Sequence, residues 1–378
     1  MRVLVLAPSL KRLGGIQRYA TTLIQALKDL CGKENVRLVS LHLPDGPGGP
    51  VARATAENAK LWFGMAALRE GLAWRPDLVI CAHVGIAPLG RLLRVVGVSP
   101  YWVIAYGIDV WGRLRARDHR ALVCADRVIA ISEFTRVQVV RLQGVRSVQT
   151  CLLPPCLDEQ WMAEALSYSV VPRQHQRPVM LTVSRLSSSE RYKGHDVVLE
   201  ALHRVLKEVP NAMYVVVGDG DDRPRLEELS CSLGLAGAVR FQGAVTAEAL
   251  KGWYRDCDVF LMPAQTVLDH SRPQGEGFGI VFLEAMAYGK PVIGPASGAP
   301  SEFIHHKQHG LLVDPQASEE VASALIELLN SPERAREMGA AARTWVAGEY
   351  SYAGFRERLG QLLESGGNEL LGQEQCAS

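Results

Sequence analysis

The 378-residue chain lacks paired cysteines, long apolar runs and any sizeable net charge. Its eight cysteines stand singly, at Cys31, Cys81, Cys124, Cys151, Cys156, Cys231, Cys257 and Cys376. No Cys-x-x-Cys pair occurs, which argues against a zinc site and fits reduced thiols in a cytosolic protein. No run of about 18 apolar residues exists, so no membrane-spanning helix is expected. The opening M-R-V-L-V-L-A-P is too short an apolar stretch for a signal peptide. The formal charge is +1, which argues against a dedicated nucleic-acid binder. Dinucleotide fingerprints are missing too. Gly14-Gly15 lacks both G-x-G-x-x-G and G-K-[ST] spacing, and in the G-D-G at 218–220 the third glycine is replaced by Arg223.

Near-neutrality conceals an asymmetry. Residues 1–170 carry 21 Lys+Arg against 13 Asp+Glu, and residues 171–378 carry 20 against 27. A basic half joined to an acidic half suggests two tasks on one chain. Length agrees, since about 100–200 residues make a domain.

Short apolar runs alternate with amphipathic segments. Strands are expected at Val3–Ala7, Val36–Leu41, Leu78–Ala82, Trp102–Tyr106 and Val128–Ile131, with a helix over Gly15–Leu30. The polar, proline-bearing stretch 171–178 reads as a linker. The rhythm then restarts, with strands at Val179–Val183, Met213–Val217, Val239–Phe241, Val259–Met262 and Pro291–Gly294. Helices are expected at His195–Glu208, Pro224–Leu233, Phe282–Tyr288 and Ser318–Leu329. Continuous apolar strands separated by helices imply parallel sheets covered on both faces. The expected fold is therefore α/β, with two Rossmann-like doubly wound domains, 1–170 and 171–351.

The strongest chemical signal is R-P-Q-G-E-G-F-G-I-V-F-L-E-A from Arg272 onward. Glu276 and Glu284 flank seven residues, and Gly275, Gly277 and Gly279 let the backbone approach a ligand. A carboxylate at each end suits sugar hydroxyls, and helix-start amides suit an anion. Glu284 lies in an apolar run, where an unpaired charge is costly. In S-R-L-S-S-S-E-R-Y-K-G-H-D, Arg185 and Lys193 follow a strand on the way into a helix. Two cations there suit a diphosphate.

Together with G-G-I-Q-R-Y, Y-G-I-D-V-W, V-I-A-I-S-E-F-T and G-D-G-D, these motifs resemble the retaining glycosyltransferases of family 4. The resemblance covers nearly the whole chain. It implies the GT-B fold, two Rossmann-like sheets facing across a cleft, with the last helix (352–378) packed back on the first domain. It also implies a nucleoside-diphosphate sugar as co-substrate, with no cofactor and no metal. Arg185 and Lys193 then grip the diphosphate, Glu284 the ribose and Glu276 the donor sugar. The amides of Gly277, Phe278 and Gly279 reach sugar and phosphates. Arg240 and Phe241 lie along the base, Gly15 closes onto the diphosphate and His83 points at the donor sugar. Arg18 and Asp109 are acceptor candidates.

The expected activity is hexosyl transfer, with GDP-mannose favoured over a UDP-hexose, to a glycan or lipid-linked acceptor in cell-surface synthesis. The basic cluster Arg113, Arg115, Arg117, His119 and Arg120, beside the apolar Gly90–Val98, suggests an anionic membrane surface and a peripheral, cytoplasmic location. The competing readings are a nucleotide-sugar epimerase or hydrolase of the same architecture, and a non-catalytic sugar-nucleotide-binding protein.

Overall fold

The structure, a computed structural model, describes residues 1–8, 10, 14–40, 59–168 and 177–375, with 366–375 as backbone only. It divides into two compact units, Met1–Cys156 with Tyr352–Ser378, and Leu157–Ser351.

Among the described residues the first unit holds six parallel strands: β1 (Val3–Ala7), β2 (Val36–Ser40), β3 (Leu78–Cys81), β4 (Tyr101–Ala105), β5 (Arg127–Ala130) and β6 (Thr150–Leu152). Their order is β2-β1-β3-β4-β5-β6. Residues of β1, β3, β4 and β5 are buried throughout, as a sheet covered on both faces requires. Its helices are α1 (Gly15–Cys31), α2 (Ala59–Trp74), α3 (Ala87–Val95), α4 (Ile108–Trp111), α5 (Ala116–Val123) and α6 (Glu133–Gln143). In α1, Tyr19, Ala20, Leu23, Ile24 and Leu27 form the buried face.

The second unit begins with α7 (Glu159–Ser167) and continues with β7 (Val179–Val183), α8 (His195–Glu208), β8 (Met213–Val217), α9 (Arg223–Ser232) and β9 (Val239–Gly243). Then follow α10 (Ala247–Asp256), β10 (Val259–Leu261), α11 (Ile280–Ala287), β11 (Val292–Pro295), β12 (Gly310–Val313), α12 (Ser318–Asn330) and α13 (Pro332–Glu349). These strands are also parallel, in the order β12-β11-β10-β7-β8-β9. Their core gathers Met180, Leu199, Val216, Leu261, Ile293 and Leu325.

The last helix, α14 (Tyr352–Gln375), belongs to the first unit. The Phe355 ring meets Tyr19 edge-on at 5.7 Å, Tyr352 donates to Asp29 at 2.5 Å, and Arg127 donates to the Leu362 carbonyl at 3.2 Å.

One expectation needs correction. The units part at 156/157, not at 170/171. The cause is tertiary: Trp161 of α7 packs edge-on against Tyr254 and Tyr288. Arg343 also donates to the Ala165 and Tyr168 carbonyls, which fastens α7 to the second unit. The linker expected at 171–178 lies mostly outside the described residues. Two short strands, β6 and β12, also escape the sequence reading.

Candidate functional site

Each sheet reverses its direction of growth once, the first between β1 and β3 and the second between β7 and β10. Ligands of such sheets gather outside the carboxyl ends of the strands at these points. In the second unit the residues after β7 include Arg185 and Lys193, and those after β10 include Glu276. In the first, Gly15 and Arg18 follow β1, and His83 follows β3.

The segment after β7 passes through a 3-10 turn, Ser188–Lys193, before entering α8. It is held from two sides. Gln265 N–H donates to the Tyr192 carbonyl at 2.7 Å, tying it to the segment after β10. On the β8 side, Ser184 N–H donates to Val217 and Leu186 N–H to Asp219, both at 3.0 Å. Gly218 has φ +134°, and a Cβ there would lie 1.8 Å from the Ser184 carbonyl oxygen. The G-D-G turn therefore exists for close backbone packing against the Arg185 segment.

This scaffold brings Lys193 to Glu276, with Nζ 3.8 Å from Oε1. A second carboxylate stands between the cations. Glu190 accepts from Arg185 through Oε1 and faces Lys193 Nζ at 2.9 Å through Oε2. The Lys193 side chain is only 10% accessible, whereas that of Arg185 is 72% accessible.

The glycine-rich loop leads into α11. Gly279 caps that helix at φ +92°, where a Cβ would press on the Phe282 ring at 2.9 Å. Phe278 is buried and stacks on Phe303 at 4.7 Å. Glu284 is buried, and Tyr254 donates to its Oε2 at 2.7 Å. Tyr254 is itself stacked against Tyr288. Arg240 and Phe241 sit on β9, at the sheet edge two strands from β7, and the Arg240 guanidinium lies over the Trp253 ring at 5.6 Å.

Sequence reasoning missed His195, although it stands in K-G-H-D. Tyr214 donates to Thr182 at 2.9 Å, and Thr182 donates to the Leu261 carbonyl at 2.6 Å. The Tyr214 proton is thereby committed, so His195 Nδ1–H donates to the Tyr214 oxygen at 3.3 Å, and Ser184 donates to Nε2 at 2.8 Å. Burial, aided by the Lys193 charge, pushes the imidazole down to about 4. A neutral histidine thus anchors the residue next to Arg185.

In the first unit, Gly85 N–H donates to His83 Nδ1 at 3.0 Å, which puts the proton of the neutral ring on Nε2. The His83 ring stacks with Tyr106 at 6.4 Å, and Tyr106 meets Tyr19 edge-on at 5.5 Å. Asp109 Oδ1 accepts from Tyr106 N–H at 3.0 Å. Its Oδ2 and the Tyr106 hydroxyl are buried without a hydrogen-bond partner among the described residues. Burial raises the Asp109 carboxyl above its ordinary range, opposed by the nearby His83 imidazole and by backbone N–H bonds. A Cβ on Gly15 would meet open space, so the start of α1 is accessible backbone. Arg18 lies one turn further along α1, its N–H bonded to the Gly14 carbonyl at 3.0 Å.

The same unit exposes Leu61, Trp62, Met65 and Leu72 on α2, and Leu92 and Val95 on α3. Helix α3 packs against both α2 and α5, and Arg115, Arg117 and Arg120 at α5 are exposed. No described helix is long and apolar enough to cross a membrane.

A family model described as "Glycosyl transferases group 1" matches residues 169–345. A Mycobacterium tuberculosis protein named GDP-mannose-dependent alpha-(1-6)-phosphatidylinositol monomannoside mannosyltransferase is 31% identical over 314 residues, covering 80% of this chain and 75% of the relative. A D-inositol 3-phosphate glycosyltransferase of Pseudarthrobacter chlorophenolicus is 26% identical over 298 residues, 78% of this chain and 66% of that one. Among solved structures, sucrose-phosphate synthase from Thermosynechococcus elongatus superposes over 100% of both chains with TM-score 0.76 and 22% identity. Anabaena HepE in complex with UDP superposes over 97% of this chain and 100% of that one, with TM-score 0.74 and 19% identity. Both share the two-sheet GT-B architecture.

Proposed function

The chain belongs to the group 1 glycosyltransferases, and from that premise we propose a retaining hexosyltransferase of family 4 type that moves mannose from GDP-mannose to a lipid-linked glycan acceptor. A UDP-hexose is the next donor in order. One observation carries the reading: Arg185, Lys193 and Glu276 meet at the switch point of the second sheet. The Mycobacterium tuberculosis relative is named for GDP-mannose and a phosphatidylinositol mannoside, which supports the choice of donor and acceptor class.

The chemistry follows from charge. Breaking the anomeric C–O bond leaves positive charge on the sugar and negative charge on the departing diphosphate. Arg185 and Lys193 stabilise that negative charge where it develops, with the amides of the Gly277–Gly279 turn beside them. These two cations supply what a metal supplies elsewhere, so transfer is metal-independent. Glu276 accepts from donor-sugar hydroxyls and Glu284 from the ribose. His83 offers Nε2–H to the donor sugar, and Asp109 accepts from an acceptor hydroxyl. Attack on the same face, with the donor phosphate taking the acceptor's proton, retains the anomeric configuration. The exposed apolar residues of α2 and α3, beside the arginines of α5, support a place on an anionic membrane surface.

A thermal-shift screen of GDP-mannose, UDP-glucose and UDP-galactose, followed by transfer assays on phosphatidylinositol glycolipids with and without EDTA, tests this. Saturation a hundredfold above Kd stabilises the fold by about 2.7 kcal/mol. GDP-mannose is expected to give the largest shift, with an α-linked mannosyl product that EDTA does not abolish. A shift confined to UDP-sugars replaces the donor, free sugar formed without acceptor favours a hydrolase, and no shift with any of them sinks the proposal. Salt-independent absence of binding to phosphatidylserine vesicles removes the membrane part.

A further inference from the structure

The two cations at the head of β7 are not free. Glu190 occupies the space between them, one carboxylate oxygen on Arg185 and the other 2.9 Å from Lys193. Its side chain is 12% and that of Lys193 10% accessible, so their pair is buried, while Arg185 reaches Glu190 from the surface. The backbone is shaped for it: Glu190 is the one residue of the 3-10 turn with non-helical angles, φ −120° and ψ 27°. With Glu276 close by, the cluster sums to zero: two ammonium or guanidinium charges against two carboxylates.

We propose that Glu190 is a resident counter-ion that holds the place of the diphosphate and sets how tightly nucleoside diphosphate is retained. The inference rests on the reading of Arg185 and Lys193 as the diphosphate grip. A diphosphate entering this cluster must share its cations with a fixed carboxylate and lie near that carboxylate's charge. Both effects weaken retention of donor and product alike. The consequence falls on release, because a nucleoside diphosphate held by two unopposed cations in a partly buried site leaves slowly. Lys193 does not depend on Glu190 for its position. It is buried, it has Glu276 at 3.8 Å, and its segment is pinned by the Gln265–Tyr192 bond. Removing the Glu190 charge therefore frees the cations without displacing Lys193.

The test is calorimetric titration of the full-length protein with GDP and with UDP, for the wild type, Glu190→Gln and Lys193→Ala, alongside steady-state transfer with product inhibition. Glu190→Gln is expected to bind the productive nucleoside diphosphate about tenfold more tightly and to lower its inhibition constant by the same factor. Its kcat should fall while the donor KM falls too, a pattern that general loosening of the fold does not produce. Lys193→Ala is expected to bind at least tenfold more weakly. If Lys193→Ala weakens binding but Glu190→Gln binds equally or less well, the counter-ion role is wrong and the donor site stands. If Lys193→Ala binds as the wild type does, or the wild type binds neither nucleotide, the donor site itself falls and Glu190 with it. Should Glu190→Gln fail to fold, Glu190→Ser is read by the same sign.

Discussion

The carboxyl ends of the two sheets differ in charge: the second gathers ion pairs, the first a buried carboxylate beside a tyrosine. In the second unit Arg185, Lys193, Glu190 and Glu276 neutralise one another, and the buried Glu284 takes a hydrogen bond from Tyr254. In the first, Asp109 and Tyr106 bury polar oxygens that have no hydrogen-bond partner among the described residues. The cost of an unsatisfied buried group is about 1–3 kcal/mol, which the fold does not recover by itself. The charged cluster of the second unit thus carries its own counter-charge. The first unit leaves buried oxygens that, under the proposed function, a hydroxyl-bearing acceptor would satisfy.

The sharpest way to break this comparison is at its charged cluster. Glu276→Gln keeps size and removes one charge, so the fold should survive with nearly unchanged unfolding temperature. Loss of a group aimed at the donor sugar is expected to lower kcat/KM by about 10²–10³-fold, roughly 3–4 kcal/mol of transition-state stabilisation. Steady-state transfer assays read this directly. An unchanged kcat/KM removes Glu276 from the site.

A second test uses pH. His195 is buried neutral, with its folded-state pKa lowered to about 4 from an ordinary 6.5. As pH falls below 6.5 the unfolded chain takes up a proton that the folded chain refuses. Stability is therefore full above 6.5 and is lost progressively down to about 4, by roughly 3 kcal/mol in all. Urea unfolding between pH 7 and 4 measures the loss, and His195→Gln should flatten it. Because His195 anchors Ser184, acid should loosen the second unit's site before it affects the first unit.

Much of this arrangement was legible from residue order. The continuous apolar runs located ten of the twelve strands among the described residues, and the E-x7-E unit pointed to the loop and helix that hold Glu276 and Glu284. The rest depended on packing. Strands β6 and β12 are short, and T-C-L or G-L-L-V carries no periodicity. The unit boundary was misplaced because prolines mark a turn, whereas α7 is claimed by aromatic contacts distant in sequence. Nothing in the residue order singles out Glu190, and only the kinked 3-10 turn places it between two cations. His195 was read as part of a motif, because its partners Tyr214 and Thr182 come from two different strands.

The smallest expected effect probes the first unit, and its sign is what matters. Asp109 is a carboxylate whose ionisation burial disfavours, so at neutral pH it works against folding. Its raised folded-state pKa means that the penalty is absent at low pH and grows as pH rises through the ordinary carboxylate range. Asp109→Asn keeps the shape and removes the charge. It should raise stability at pH 7 by about 1 kcal/mol while lowering transfer to acceptor, the trade expected where a site is kept strained for its ligand. The gain should shrink towards pH 4, where the wild-type carboxyl no longer has to ionise. Paired unfolding curves at pH 7 and pH 4, with acceptor KM measured on the same variant, decide it. Destabilisation at both pH values with unchanged acceptor KM makes Asp109 a structural cap on the turn after β4. The first unit then waits for its acceptor through Tyr106 alone.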